Sequence, residues 1–156
     1  MKHLMTTILA VVFIAAAAGC TSQTEVSPTV PPTAPTHRIS GSVLPFRVGG
    51  YTALGSAPAP GQMEASYARD TQPLDLAIVS FDSTGEYGQM PLSGQQWYGA
   101  SRCGTLWKGD PKVTPQPMQS ACVTVLTDGV MTTVSGGQQT PEDLSDLANS
   151  IYAVLA

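Results

Sequence analysis

The chain has 156 residues, of which 42% are hydrophobic and 12% charged, and its formal net charge is −4. This length fits one domain with a flanking segment. An acidic balance without basic clusters argues against nucleic-acid binding and against an electrostatic hold on anionic lipid. The first predicted element is a secretory signal peptide over residues 1–19, because a short basic end precedes an apolar run that is too brief to span a bilayer permanently.

The four residues that end this segment are Ala17-Ala18-Gly19-Cys20. They resemble the lipobox of bacterial lipoproteins, with Ala17 standing where that pattern favours Leu. The resemblance implies that Cys20 receives a diacylglycerol thioether and that the protein is attached to the outer face of the cytoplasmic membrane. After cleavage, six basic residues stand against eleven acidic ones, a formal charge of −5. Attachment to the membrane is therefore expected from acyl chains, since two chains suffice for stable anchoring.

Residues 20–37 form the second predicted segment, the lipidated cysteine with a tether rich in proline and threonine. Few large apolar residues occur here, so nothing would repay the entropy of folding. Pro31-Pro32 favours an extended spacer of roughly 3.1 Å per residue. The threonines resemble those of O-glycosylated tethers in actinobacterial lipoproteins, and a plain linker without sugar is the open alternative.

A single globular domain is expected over residues 38–156. Alternating apolar residues and turn residues predict several strands: Tyr51–Leu54, Met63–Ala68, Leu74–Phe81, Trp97–Trp107, Ala121–Thr127 and Val130–Ser135. Residues 82–94 are expected to be irregular, and Asp128-Gly129 predicts a two-residue hairpin turn. In the Trp97–Trp107 strand, period two predicts that Trp97 and Cys103 share one face, and Tyr98 and Arg102 the other.

A C-terminal helix is the most distinct predicted element. Thr140 is a suitable N-cap, Pro141 fits the first helical position, and acidic residues follow in the first turn. The apolar residues then recur with helical spacing and form one stripe: Leu144, Leu147, Ala148, Ile151 and Leu155. Because such a stripe must be buried, we expect an α+β fold, with an antiparallel sheet of about four or five strands and this amphipathic helix packed on one face.

Three cysteines are an odd number for an exported protein until Cys20 is assigned to lipid. Cys103 and Cys122 then remain and predict one disulfide in an oxidising compartment. Two buried free thiols are the alternative. Residues 97–156 also resemble small extracytoplasmic domains of actinobacterial lipoproteins and membrane proteins, through Cys103-Gly104, Ala121-Cys122-Val123 and the closing helix. Those domains generally have no assigned function, so the resemblance transfers no catalytic residue.

The sequence offers little for catalysis. His3 lies in the signal peptide and His37 in the tether, which leaves the expected domain without histidine for a catalytic triad or the usual zinc sites. Phosphate-binding loop motifs are also missing. Asp82 to Glu86 contains several oxygen ligands, but an Asx-type turn accounts for it better than a calcium loop. We therefore expect no enzyme, no catalytic residue, no metal site and no cofactor.

The candidate binding surface consists of Trp97, Tyr98 and Trp107, with Tyr87 nearby. The alternative is that these aromatic residues occupy ordinary core positions. Two functions follow from the sequence. The first is a non-catalytic interaction module, anchored through acylated Cys20, that contacts an envelope protein or a wall polymer. The second is a carrier for a lipid or other apolar ligand between sheet and helix, with Met131, Ile151 and Leu155 as lining.

Overall fold

In the computed structural model, the described part of the chain comprises residues 34–106, 119–137 and 139–156. It folds into one antiparallel sheet and one α-helix. The strands are β1 (Arg47–Val48), β2 (Tyr51–Ala53), β3 (Glu64–Arg69), β4 (Gln72–Asp82), β5 (Leu92–Tyr98), β6 (Ser101–Leu106), β7 (Gln119–Leu126) and β8 (Gly129–Ser135). The helix α1 is Pro141–Tyr152. Several predicted features lie outside the described residues: the signal peptide, Cys20, most of the tether, Trp107 and the proline-rich segment 109–117.

Sheet order in the described residues is β1-β2-β3-β4-β8-β7-β6-β5, and every neighbouring pair is antiparallel. The α+β class is confirmed, but the expected four or five strands are wrong, because this sheet has eight. After β4 the chain crosses one face of the sheet to the far edge, and the β5–β8 meander then returns to pair β8 with β4. Residues 83–91 make this crossing and are called the strap; they contain a 3₁₀ helix, Glu86–Gln89.

The prediction of one continuous strand over Trp97–Trp107 is wrong. Strands β5 and β6 form a hairpin here, and Gly99 and Ala100 lie in the turn between them. Gly99 has φ 59°, which suits glycine in a tight turn. A turn resets the alternation of faces, so Tyr98 stands opposite Ser101 and Trp97 opposite Arg102.

The β7–β8 hairpin is present, but its turn is displaced by one residue from the prediction. Leu126 pairs with Gly129, so Thr127 and Asp128 are the turn residues, and neither has positive φ. Gly129 instead begins β8. A Cβ at this position would overlap the carbonyl oxygen of Asp82 and the side chain of Ile39, so close packing requires glycine here.

Helix α1 begins as the sequence predicts. The hydroxyl of Thr140 accepts the amide of Asp143 at 3.1 Å, and the Asp143 side chain accepts back from the backbone and hydroxyl of Thr140, which completes a capping box. The predicted stripe lies against the sheet and is buried throughout, although Leu155 follows the last helical residue. The sheet face that α1 covers is called the helix face, and the opposite one the open face.

The disulfide between Cys103 and Cys122 is confirmed, with its sulfur atoms 2.09 Å apart. The two residues stand directly opposite each other on β6 and β7 and are fully buried on the helix face. The bridge therefore joins neighbouring strands inside the core.

Residues 36–42 form an N-terminal arm that belongs to the folded unit. The carbonyl of His37 accepts the amide of Thr127 at 2.9 Å, and the amide of Arg38 donates to the carbonyl of Ala156 at 3.0 Å. The ring of His37 meets that of Tyr152 edge to face at 4.5 Å. Contacts with the domain thus begin slightly before the predicted boundary at residue 38.

Candidate functional site

The open face of the sheet holds the candidate site, because α1 covers only the other face. On the open face, Ile78 of β4 stands opposite Val134 of β8. Ile78 keeps 42% of its surface exposed and Leu76, two residues earlier on the same face, keeps 37%. The β4 sequence therefore supplies apolar side chains to both faces, since Ala77 and Val79 are fully buried toward the helix.

The strap crosses the open face, where its 3₁₀ helix packs on β7 and β8. Gly88 lies against Val130, where a Cβ would be 3.3 Å from a methyl carbon of that valine. Arg102 of β6 fastens the strap, because its Nη2 donates to the carbonyl of Gly88 at 2.9 Å and its Nη1 to Gln95 Oε1 at 3.0 Å. The strap thus forms one wall, and the apolar residues of β4 and β8 beyond it stay uncovered.

Asp82 fixes the start of the strap. Its carboxylate accepts the hydroxyl of Thr84 at 2.6 Å and the amides of Thr84 and Tyr87 at 2.9 and 3.0 Å. These hydrogen bonds hold the pKa of Asp82 below its usual value, with the Thr84 hydroxyl as the largest cause. The Asx-type turn predicted at Asp82 is confirmed. Among the described residues, no three His, Cys, Asp or Glu side chains are grouped closely enough to hold a metal ion.

A groove of about 360 Å³ lies between the strap and strands β3, β4 and β8. Its apolar lining consists of Met63, Phe81, Tyr87, Met90 and Val134, and its polar lining of Glu64, Ser80 and Thr132. Ser80 donates its hydroxyl to Glu64 Oε2 at 3.0 Å, which directs the carboxylate along the groove edge. Apolar walls with a few oriented polar groups are typical of sites that receive an apolar group beside a donor or a cation.

The structure separates the residues of the predicted aromatic surface. Trp97 is half-buried on the open face of edge strand β5, opposite Arg102. Tyr98 points to the other face, where it packs against the core. Trp107 lies outside the described residues, so Trp97 and Tyr98 do not form one stacking surface. Tyr87 is 54% exposed and belongs to the groove instead.

Sequence reasoning missed the groove because its walls come from four separate segments. One signal was present: Leu74–Phe81 is apolar at both odd and even positions, which is typical of a strand that meets other groups on both faces. The side chains expected to line a ligand site under the helix are packed in the core, since Met131 and Ile151 are fully buried and Leu155 nearly so.

A polar cluster under α1 ties the β5–β6 turn to the helix. Asn149 Oδ1 accepts the amide of Ala100 at 3.1 Å and the hydroxyl of Ser101 at 3.3 Å, while its Nδ2 donates to the carbonyl of Tyr98 at 2.9 Å. Ser101 also shares a 2.7 Å hydrogen bond with Thr124. The cluster fixes the β5–β6 turn to the helix and has no base that could activate a hydroxyl.

Comparison with protein-family models, curated proteins and solved structures finds no match for this chain. In the described ranges, no helix has the length and apolar character needed to cross a membrane. The assignment of the candidate site rests on the geometry of the open face.

Proposed function

We propose that the protein is a lipid-anchored component of the bacterial cell envelope whose domain binds a partner protein through the open face of its sheet. The observation that carries this proposal is the uncovered row of apolar residues beside the groove. Leu76, Ile78 and the groove-lining Tyr87 are all exposed, whereas Ala77 and Val79, which alternate with the first two on β4, are fully buried on the other face. Contiguous exposed apolar surface with a polar rim is typical of interaction sites.

Several features support a binding role rather than catalysis. The groove carries one carboxylate, Glu64, whose hydrogen-bond partner is a serine hydroxyl. Such a site can receive an apolar side chain next to a cationic group, but it offers no paired acid and base in contact. The second candidate, a carrier with its ligand between sheet and helix, gains no support from Met131 and Ile151, which are fully buried in the core.

The anchor rests on Cys20 and its lipobox resemblance. We expect the N-terminal peptide of the mature protein to carry acyl chains on Cys20, and Cys20→Ala to abolish acylation and normal processing. Mass spectrometry of that peptide and cell fractionation check this. Cleavage and membrane association that persist in the variant would contradict the anchor.

The partner site is tested by a photo-crosslinking amino acid placed at Ile78, with Glu142 on the exposed side of α1 as the matched control position. In the bacterium that expresses the protein, we expect a discrete adduct of fixed mass from position 78 and none from position 142. A protein adduct supports the proposal. Adducts of equal yield at both positions, or adducts that contain only wall polymer, would overturn it.

A further inference from the structure

We infer that a second surface of the domain rests on the lipid bilayer, and that this surface is a set of four exposed apolar residues, the anchor-side patch, formed by Val43, Phe46, Leu54 and Met63. The inference rests on the proposed lipid anchor and adds an orientation to it. These four side chains are 42%, 42%, 52% and 40% exposed. Apolar side chains that sit at the boundary of headgroups and acyl chains provide the attraction of peripheral membrane contacts.

The patch is continuous because two segments of the chain lie side by side. A pocket of about 280 Å³ is lined by residues of the arm, by Val43 and by residues 60–63. A neighbouring hollow contains Leu54 together with Gln62. Phe46 belongs to the same surface, since its carbonyl accepts the amide of Ala53 at 2.8 Å, directly before Leu54.

Charge distinguishes this surface from the rest of the domain. Between Arg38 and Glu64 the sequence contains one charged residue, Arg47, although the mature chain is acidic as a whole. Asp128 is the carboxylate that faces the arm, and it is occupied by the amides and the hydroxyl of Ile39 and Ser40. The exposed carboxylate at the edge of the patch is Glu64, which shares the hollow of Leu54 and accepts the hydroxyl of Ser80 at 3.0 Å. The patch itself therefore offers a lipid headgroup layer apolar groups and one cation.

The length of chain between Cys20 and the arm allows the patch to reach the membrane. The arm is fixed at Thr127, Asp128 and Ala156, and the backbone then runs from Ser42 directly into Val43. Between Cys20 and Ala34 the chain reaches at most roughly 50 Å at 3.3–3.6 Å per residue. The anchor thus tethers the domain by the residues next to the patch. Met63 also lines the groove, so the two surfaces meet at this residue, whereas Leu76 and Ile78 lie outside the patch.

The test uses full-length acylated protein in vesicles of phosphatidylcholine and phosphatidylglycerol that contain a photoactivatable acyl chain. We expect lipid adducts to concentrate in peptides of residues 39–63, with equal yield at low and high salt because the contact is apolar. The double variant Phe46→Ser/Leu54→Ser should lower the yield several-fold. The matched control, Leu76→Ser/Ile78→Ser, removes two side chains of similar exposure from the open face and should leave it unchanged.

Three adduct patterns and one result at Cys20 would overturn the inference. Adducts confined to residues before Ala34, adducts concentrated around Leu76 and Ile78, or equal yields in both double variants each contradict an anchor-side contact. A Cys20 peptide without acyl chains would contradict the anchor itself and this inference with it, so the two failures are distinguishable by mass. Thermal unfolding of both variants shows whether either change disturbs the fold.

Discussion

Asp128, in the β7–β8 turn, accepts the backbone amide of Ile39 at 2.6 Å, across 89 positions of sequence. Ser40 donates its amide and hydroxyl to the other carboxylate oxygen at 2.9 and 2.7 Å. These bonds place Ile39 in the core, beside Gly129. One turn residue therefore joins the arm, and with it the chain that follows the proposed anchor Cys20, to the sheet.

Replacement of Asp128 by Asn should loosen the arm and lower the thermal midpoint at neutral pH, because a carboxylate accepts these hydrogen bonds more strongly than an amide. We expect faster amide exchange at Ile39 and Ser40 while the core of β4 and β8 keeps its protection. Hydrogen exchange with mass spectrometry measures both. The matched control is Glu86→Gln, which neutralises an exposed carboxylate of the strap.

The same variant has a defined pH dependence. The Ser40 hydroxyl, followed by the Ile39 and Ser40 amides, lowers the pKa of Asp128 from 3.8 to about 2. A depressed carboxyl pKa contributes stability above the unfolded value, and this contribution is lost as pH falls through the folded value. The difference between wild type and Asp128→Asn should therefore be constant above about pH 4 and shrink toward pH 2. A difference that persists at pH 2 would contradict this.

The sequence predicted those elements whose pattern is local. Thr140 and Pro141 begin the helix as expected, and the alternation of Ala65 and Tyr67 with exposed neighbours defines β3. Strand β5 was missed because its residues Ser93 to Gln96 are polar and a register shift interrupts its pairing. A polar edge strand has no buried face to impose period two, so hydrophobic alternation does not reveal it.

Loss of the disulfide should destabilise the domain. Cys103→Ala/Cys122→Ala should lower the free energy of unfolding by about 3 kcal/mol in the chain-entropy model, since the bridge closes a loop of this length in the unfolded chain. Denaturant unfolding under oxidising conditions measures the loss. Wild type unfolded in the presence of reductant should match the variant. A loss of equal size relative to wild type in both conditions would mean that lost packing, not the bridge, causes it.

Asn149 should be a sensitive position in the helix. Its amide holds the carbonyl of Tyr98 and the amide of Ala100, so Asn149→Ala leaves both partly buried groups without these partners. We expect a loss of about 1–3 kcal/mol in denaturant unfolding and faster exchange at the β5–β6 turn. Asn149→Asp keeps the acceptor but removes the donor to Tyr98, and an intermediate loss is expected. Equal stability of all three proteins would contradict the assignment.

The candidate site was harder to predict than the helix, for a physical reason. Tyr87 and Met90 come from the irregular strap, whose path over the open face depends on Asp82 and Arg102 and not on any periodic pattern. Trp97 and Tyr98 were grouped by their closeness in sequence, but they are neighbours on one strand and therefore lie on opposite faces of the sheet. The turn at Asp82 has a local signature and was predicted, but the hydrogen bond from Arg102 to the carbonyl of Gly88 joins separate segments and leaves none.

The position of the strap should depend on Arg102. Arg102→Met should free Gly88 from its guanidinium donor and open the wall of the groove, while the methionine keeps part of the apolar packing. Exchange should rise several-fold at the amides of Gly88 and Met90, which close the 3₁₀ turns onto Gly85 and Tyr87. The matched control is Arg69→Met, which breaks the 3.3 Å ion pair with Asp143 beside α1. If Arg69→Met raises strap exchange as much, Arg102 is not what fastens the strap, and the wall of the groove must be held by the turn at Asp82 alone.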